Sequence, residues 1–276
     1  MQPSHASIPV ELPDRFPVGG DLTGRRALVT GGSRGLGLAI ACALGQAGAA
    51  VAIAGRNPQS RAAAVAEIRR RGAVGHAVHG DLSDVTSTAA MIDEAASVLG
   101  GLDMLVNNAG VGVRGSPEDL SENDFDRIFD TNVKGLYFAS CAARRLMQRG
   151  SSIVNVASVA AHLADVELAA YSGSKAAVIQ LTRILAASWG ASGIRVNAVA
   201  PGYTDSPMNA HRKADPVRAA AVINRTPLGR WGKPADVAAA VVFLAGEGAA
   251  FITGQTLQVE GGYTLGHWPS PLGEST

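Results

Sequence analysis

Short apolar runs alternate with longer alanine-rich stretches along nearly the whole chain, and this alternation limits the possible folds more than any other feature. Several runs are almost continuous strings of β-branched and apolar residues, as expected for strands buried on both faces of a parallel sheet. The runs lie at 26–30, 50–54, 75–79, 102–106, 152–156, 194–199 and 256–259. Helical stretches separate them, at 36–47, 59–71, 84–99, 121–149, 172–191 and 234–246. The pattern predicts an α/β fold of the Rossmann type, in which helices flank one doubly wound parallel sheet of about seven strands.

The domain organisation follows from the same pattern. No linker-like or low-complexity stretch interrupts residues 21–265, so we expect one domain there. Residues 1–20 are rich in proline and lack the basic start and apolar stretch of a secretion signal. We interpret them as a loose N-terminal arm that could lie on a neighbouring subunit, and 266–276 as a C-terminal tail.

Charge and composition exclude several classes of function. A formal net charge of +1 gives the chain no field to attract nucleic acid or an anionic membrane, and no apolar run reaches the ~20 residues that span a bilayer. Cys42 and Cys141 fall in different predicted helices. They could form one disulfide, but two reduced thiols in a cytoplasmic protein are favoured. His76 and His79 point to opposite faces of one strand, so we predict no metal site.

A glycine-rich loop joins the first predicted strand to the first helix. A helix N-terminus presents unpaired N–H groups and a partial positive charge to a pyrophosphate, and glycines permit a tight turn and close backbone approach. A loop of this composition can also be a plain turn, but its position at the first strand–helix junction favours a dinucleotide site. The candidate cofactor-binding residues are Gly31, Ser33, Arg34, Gly35, Leu36 and Gly37.

The end of the second strand bears on which dinucleotide binds. In NAD sites an acidic residue there accepts a hydrogen bond from the ribose, whereas this strand continues into Arg56 and Asn57. A guanidinium pairs well with a 2′-phosphate, and Arg34 could converge on the same group. Alternatively, both arginines are solvated loop residues. We predict NADP(H) in preference to NAD(H).

Further polar residues follow strands three and four. Asp81, followed by Leu82, could accept a hydrogen bond from the adenine amino group, or it could cap the next helix. Asn107 to Gly110 close strand four, and for this Asn-Asn-Ala-Gly run we expect both bracing of the sheet and contact with the cofactor.

Tyr171 and Lys175 carry the predicted chemistry. Their i, i+4 spacing puts a phenol and an ammonium on one helix face, where the positive charge would lower the tyrosine pKa and make it a usable general acid or base. Ser158 ends the fifth strand, at the sheet edge where ligands bind, and its hydroxyl could hold a substrate oxygen. Asn132 lies within the predicted 121–149 helix among apolar neighbours, which suggests a specific role.

These motifs together resemble the short-chain dehydrogenase/reductase family, over residues 21–263. The resemblance implies a catalytic tetrad in which Tyr171 is the acid/base and Ser158 positions the carbonyl oxygen. Lys175 would depress the Tyr171 pKa and hold the nicotinamide ribose, and Asn132 would anchor a water in a proton relay. It also implies cofactor contacts from Tyr171 and Lys175 themselves and from Asp81, Leu82, Asn107, Ala109, Gly110, Pro201, Gly202, Thr204 and Ser206.

The reaction implied is hydride transfer between a nicotinamide and a carbonyl or secondary-alcohol carbon. Residues 159–168 and 203–225 should select the substrate, or face solvent on a mobile lid. Scaffold similarities favour a keto-sugar acid, as in gluconate 5-dehydrogenases, or a 3-oxoacyl thioester. The alternative to an enzyme is a non-catalytic NADP(H)-binding sensor.

The resemblance implies a homotetramer. The alanine-rich faces of 121–149 and 172–191 could pack across a two-fold axis, giving at least a homodimer.

Overall fold

Seven parallel strands form one sheet in the order β3-β2-β1-β4-β5-β6-β7. The computed structural model describes residues 12–16 and 19–265. The strands are β1 (Arg26–Thr30), β2 (Ala50–Gly55), β3 (Gly75–His79), β4 (Met104–Asn107), β5 (Ser152–Val156), β6 (Arg195–Pro201) and β7 (Thr256–Val259). The strand order reverses between β1 and β4, which opens a crevice at the carboxyl edge of the sheet. The predicted fold class is confirmed.

Helices cover both faces of this sheet. One apolar cluster packs β1 and β2 against α1, α2 and α9, and a second packs the other face against α3, α5 and α6. The helices are α1 (Gly35–Gln46), α2 (Pro58–Arg70), α3 (Val85–Leu99), α4 (Glu122–Phe129), α5 (Leu136–Leu146), α6 (Ala169–Trp189), α7 (Ala210–Ala214), α8 (Pro216–Arg225) and α9 (Pro234–Ala245). The small alanine side chains on these helices let the helices pack closely against the sheet.

The predicted helix over 121–149 is divided in two. A π-helical turn (Asp130–Gly135) separates α4 from α5, and α5 ends at Leu146. Gly135 lies so close to the loop between β3 and α3 that a Cβ on Gly135 would be 2.2 Å from the Leu82 carbonyl oxygen. Turns of this kind often accompany functional sites, and this one carries Asn132.

Part of the N-terminal arm packs firmly on the domain. Phe16 is buried in the core beside α1, and its backbone N–H and carbonyl both hydrogen bond to the Gln46 side chain at 2.7 and 3.0 Å. Arg71 donates to the Pro13 carbonyl at 2.7 Å and lies over the Phe16 ring. Residues 12–16 are therefore not loose, because their apolar anchor belongs to the core. The rest of the predicted arm up to residue 18, and the tail 266–276, lie outside the described residues.

Within residues 12–16 and 19–265, no helix has both the length and the apolar composition needed to cross a membrane. Cys42 and Cys141 are both free thiols, on α1 and α5, as expected.

Candidate active site

The glycine loop forms a tight cradle between β1 and α1. Gly31 and Gly35 have φ of 64° and 54°, a left-handed backbone that favours glycine. A Cβ on Gly37 would lie 2.3 Å from the Gly31 carbonyl oxygen, so this position has no room for a side chain. The helix begins after Arg34, and among the described residues no side chain caps its first N–H groups. The cradle thus fits a dinucleotide pyrophosphate, which would accept those hydrogen bonds.

The other loop residues differ in their surroundings, and their cofactor contacts stay predictions. Ser33 faces the end of β2, since a Cβ on Gly55 would lie 3.3 Å from its Oγ. Arg34 is exposed, whereas Leu36 packs against the core and anchors the helix.

Asn108, not Asn107, holds the cradle in shape. The Asn108 side-chain amide donates to the carbonyls of Thr30 (2.9 Å) and Gly31 (3.2 Å), while the Thr30 hydroxyl accepts from the backbone N–H groups of Asn108 and Ala109, both at 3.1 Å. These bonds tie the end of β4 to the end of β1. Bracing of the sheet was expected for the run that contains Asn108, although Asn108 was not among the named cofactor contacts.

The Asn107 side chain points into the core. It is 2% exposed and donates to Ser140 and to Asn155 at 2.9 Å each. Asn155 in turn donates to Thr182 on α6 at 2.9 Å, so a buried polar chain joins both strands to two helices. The side chain therefore braces the sheet, as predicted for this run, and its predicted contact with the cofactor stays a prediction.

Arg56 and Asp81 meet at the neighbouring strand ends. The Arg56 side chain is 71% exposed, and its Nη1 lies 3.7 Å from an Asp81 carboxylate oxygen. Burial would raise the pKa of Asp81, but hydrogen bonds from Ser83 and the Arg56 charge together hold it below its ordinary value. Asp84, not Asp81, caps α3, which removes the capping alternative.

The remaining residues of these strand ends are structural. Asn57 caps α2 by accepting from the Ser60 N–H at 2.8 Å, and Leu82 is buried in the apolar cluster below α3.

Tyr171 and Lys175 lie one turn apart on α6. Lys175 is 4% exposed, and its ammonium donates to the Val156 carbonyl at 2.7 Å and lies 5.7 Å from the centre of the Tyr171 ring. Burial lowers the pKa of Lys175 to about 8. Its Nζ therefore lies between the end of β5 and the phenol, where it can affect both.

Burial also acts on Tyr171, which is half-buried beside Ser158. Burial raises the Tyr171 pKa, and the nearby Ser158 hydroxyl and the charge of Arg114 oppose that rise. The net direction is opposite to the one expected from the sequence. The physical reason is burial of the phenol, while the Lys175 ammonium donates to a backbone carbonyl.

Asn132 is fully hydrogen bonded inside the π-helical turn. Its side chain accepts from the Val111 N–H at 2.8 Å and donates to the Val111 carbonyl at 2.9 Å and to Ser174 at 3.0 Å. Asn132 Oδ1 and Lys175 Nζ approach the same point, because a Cβ on Gly110 would lie 3.3 and 3.4 Å from them. Asn132, Lys175 and Tyr171 thus gather around the segment that follows β4, and Ser158 lies beside Tyr171.

The segment after β6 closes the crevice from the other side. Thr204 is buried, donates to the Gly202 carbonyl at 3.2 Å and pairs with Gly232. Ser206 is half-buried at the start of a 3₁₀ turn whose Pro207 contacts the cradle, since a Cβ on Gly35 would lie 3.2 Å from Pro207 Cδ. Through Pro207 this segment reaches the glycine loop, and the cofactor contacts predicted for Pro201, Gly202, Thr204 and Ser206 stay predictions.

A cleft of about 390 Å³ opens beside the site, between residues 163–167 and the helices α7 and α8. Glu167, Tyr203, Arg212, Arg225 and Tyr263 line it. Residues 203–225 were predicted to select the substrate without any helix being assigned to them. Tyr263 was missed, because its position after the last strand carries no local signal for a site.

Comparison with known proteins agrees with this geometry. The sequence family described as enoyl-(acyl carrier protein) reductase matches residues 31–264. The gluconate 5-dehydrogenase of Gluconobacter oxydans is 39% identical over 92% of this chain and 98% of its own. The galactitol 2-dehydrogenase of Rhizobium johnstonii is 40% identical over 88% and 96%.

Solved structures show the same fold. The crystal structure of a short-chain dehydrogenase from Burkholderia cenocepacia in complex with NADP has a TM-score of 0.83 and 41% identity, over 88% of this chain and 98% of that one.

Proposed function

Because the chain belongs to the short-chain dehydrogenase/reductase family, we propose that it interconverts a ketone and a secondary alcohol with NADP(H), and that its substrate is a keto-sugar acid or the corresponding hydroxy acid. The observation that carries this proposal is the convergence of Tyr171, Ser158 and a buried Lys175 next to a cradle that fits a dinucleotide.

The residues have separate roles in this reaction. NADPH, when bound, supplies the hydride, and NADP⁺ accepts it in the reverse direction. The Ser158 hydroxyl holds the substrate oxygen, and Tyr171 donates a proton to that oxygen in reduction or removes it in oxidation. The Lys175 ammonium supports the charge that develops on the phenol. Asn132 fixes the backbone at Val111 and orders the surroundings of Lys175.

Cofactor selection rests on the end of β2. Arg56 is exposed beside the crevice, and its 3.7 Å contact with Asp81 leaves other nitrogens of the guanidinium to pair with a 2′-phosphate. The NADP complex of the Burkholderia cenocepacia relative supports the same choice. We expect tighter binding of NADPH than of NADH, and equal or tighter binding of NADH in a titration would contradict it.

The sugar-acid class is supported by the gluconate 5-dehydrogenase relative, while the galactitol 2-dehydrogenase relative makes a neutral polyol the competing class of substrate.

Two free cysteines are consistent with the cytoplasm as the location. Exposed apolar side chains on two faces support a homotetramer.

Substitution of Tyr171 by phenylalanine tests the proposal. Tyr171→Phe removes only the proton-transferring oxygen, so we expect normal NADPH binding and a loss of turnover of about 10²- to 10⁴-fold, the usual contribution of a general acid. Turnover is followed by nicotinamide absorbance with a panel of ketones and polyols that includes gluconate. A variant that keeps its activity contradicts the assignment of Tyr171, and a wild-type protein that binds NADPH but turns over nothing favours a sensor.

A further inference from the structure

The cleft beside the tetrad contains a guanidinium that the fold leaves incompletely paired. Arg212, on α7, has a side chain only 20% exposed and packs 5.2 Å from the centre of the Tyr203 ring. Its Nε atom is buried and has no hydrogen-bond partner among the described residues. A buried donor without a partner is unfavourable unless a ligand supplies the acceptor.

The acid nearest to Arg212 does not neutralise it. One Glu167 oxygen lies 3.7 Å from an Arg212 nitrogen and 3.3 Å from a nitrogen of Arg114, so a single carboxylate serves two guanidiniums. Two positive charges and one negative charge leave this group with a net charge of +1, and the cleft is also lined by Asp165 and Arg218, whose charges are opposite. Arg225 adds a further positive charge on the cleft wall, where its guanidinium stacks 4.5 Å from the centre of the Tyr263 ring.

The same group of charges is connected to the reacting end of the site. Arg114 is close enough to Tyr171 for its charge to act on the phenol, and it follows Gly112, whose Cβ would lie 3.1 Å from the Tyr171 ring. On the far side, Tyr203 belongs to the segment after β6 that closes the crevice. A substrate whose oxygen meets Tyr171 therefore extends past Glu167 into the arginine-lined cleft.

We infer that Arg212 is a specificity-determining residue that binds the carboxylate of the substrate, with Arg225 as a second positive charge on the same wall. Side-on binding of a carboxylate uses Nε and Nη2, and Nη2 lies 3.7 Å from Glu167, so the substrate carboxylate takes the place of Glu167 there and supplies the acceptor that Nε lacks. Tyr203 and Tyr263 hold the two guanidiniums against aromatic faces, which limits their motion before the ligand binds. This inference rests on the proposed function and adds the group that selects an acid over a neutral polyol.

Binding and turnover of a matched pair of ligands test it. D-gluconate and D-gluconamide differ in charge but hardly in shape, and each is titrated into the NADP⁺-loaded wild-type protein and into Arg212→Gln. We expect gluconate affinity and kcat/KM to fall by about 10- to 100-fold in Arg212→Gln, mainly through KM, as for loss of a charge-assisted hydrogen bond. The values for gluconamide should hardly change, which also shows that the variant is folded.

Lys213→Gln is the matched control. The adjacent Lys213 carries the same charge, but its side chain is exposed and paired with Asp205. It should leave both ligands unaffected, so a general loss of positive charge is separated from loss of the cleft guanidinium.

The outcomes separate the inference from the proposed function. If gluconate is turned over and Arg212→Gln binds it as well as the wild-type protein does, the inference is overturned and the proposed function stands. If neither ligand is turned over but Tyr171-dependent reduction of another ketone is found, the sugar-acid class is overturned. The inference is then decided by binding alone: selective loss of gluconate binding in Arg212→Gln supports it, and absent or unchanged gluconate binding overturns it.

Discussion

Lys175 occupies a position that is unfavourable for stability and that agrees with the catalytic role proposed for it. Its ammonium is almost fully buried, and one backbone carbonyl is its hydrogen-bond partner. A charged group in such surroundings destabilises the folded state, which is why burial lowers its pKa from 10.5 to about 8. A protein keeps such a group when activity requires it.

The pH dependence of stability follows from this shift. Between about pH 8 and 10.5 the unfolded chain binds the Lys175 proton and the folded chain does not, so this group makes the wild-type protein more stable as pH rises. Lys175→Met lacks the effect. Its stability relative to the wild-type protein should therefore decrease across that window, by up to roughly 3 kcal/mol at about 1.4 kcal/mol per pKa unit.

Urea unfolding of both proteins at pH 7, 8, 9 and 10 checks this prediction. The difference between the two proteins is the relevant quantity, because titratable groups distant from Lys175 contribute equally to both. A difference that stays constant, or that changes in favour of Lys175→Met as pH rises, would contradict the buried charge.

At the scale of elements, the cradle depends on how closely β1, α1 and the end of β4 approach one another. Gly37 faces the Gly31 carbonyl and the Asn108 amide, and a Cβ would lie 2.3 and 2.5 Å from them. Both neighbours are fixed, since the Asn108 amide itself donates to the Gly31 carbonyl. The contact therefore cannot relax by rotation of a flexible side chain.

Gly37→Ala should consequently lower both stability and cofactor affinity. We expect a loss of about 1–3 kcal/mol in the free energy of unfolding, as for other overpacked sites, and at least a tenfold weaker binding of NADPH if the cradle opens. Chemical denaturation and NADPH fluorescence titration measure the two effects. Gly190→Ala is the control, because Gly190 is exposed at the end of α6 and a Cβ there meets nothing within 4 Å. A Gly37→Ala protein that behaves like this control would refute the steric argument.

The elements also mark the limit of what the sequence could predict. Each strand and each long helix has a periodicity that depends only on local side chains, and these were found within a few residues of their ends. The π-helical turn at Asn132 has no such signal, since one extra residue in a helix leaves the local composition unchanged. The helices α7 and α8 were missed because they are short, with five and ten residues.

The site residues also differ in how far apart they lie along the chain, and this decided which of them could be predicted. Tyr171, Lys175 and the glycine loop are close in sequence, so local spacing predicted them. The cleft joins Glu167, Arg212 and Tyr263, whose separation along the chain hides their proximity. Asn107 and Asn108 are adjacent and chemically identical, and their opposite roles follow only from which face of the sheet each side chain takes.

At the scale of the whole molecule, large apolar side chains remain exposed on two separate faces. Phe125, Phe138 and Ile184, on α4, α5 and α6, are 44%, 40% and 48% exposed. Phe243 on α9 and Phe251 beyond it are 41% and 105% exposed. Exposed apolar surface of this kind is typical of contacts between subunits. Two different self-complementary faces would give a tetramer of two-fold symmetry, in which each face makes one kind of dimer contact.

Charge substitution on each face tests this arrangement. Phe138→Glu should disrupt one contact and Phe251→Glu the other, so each variant should form dimers where the wild-type protein forms tetramers, and the double variant should be monomeric. Light scattering coupled to size exclusion measures all four proteins. Val74→Glu, which places the same charge on an exposed apolar residue outside both faces, should remain tetrameric.

A monomeric wild-type protein, or a Val74→Glu protein that dissociates as readily as the others, would show that these faces are not specific contacts. Dimers in both single variants but not in the control require two independent interfaces, because loss of either one leaves the other intact.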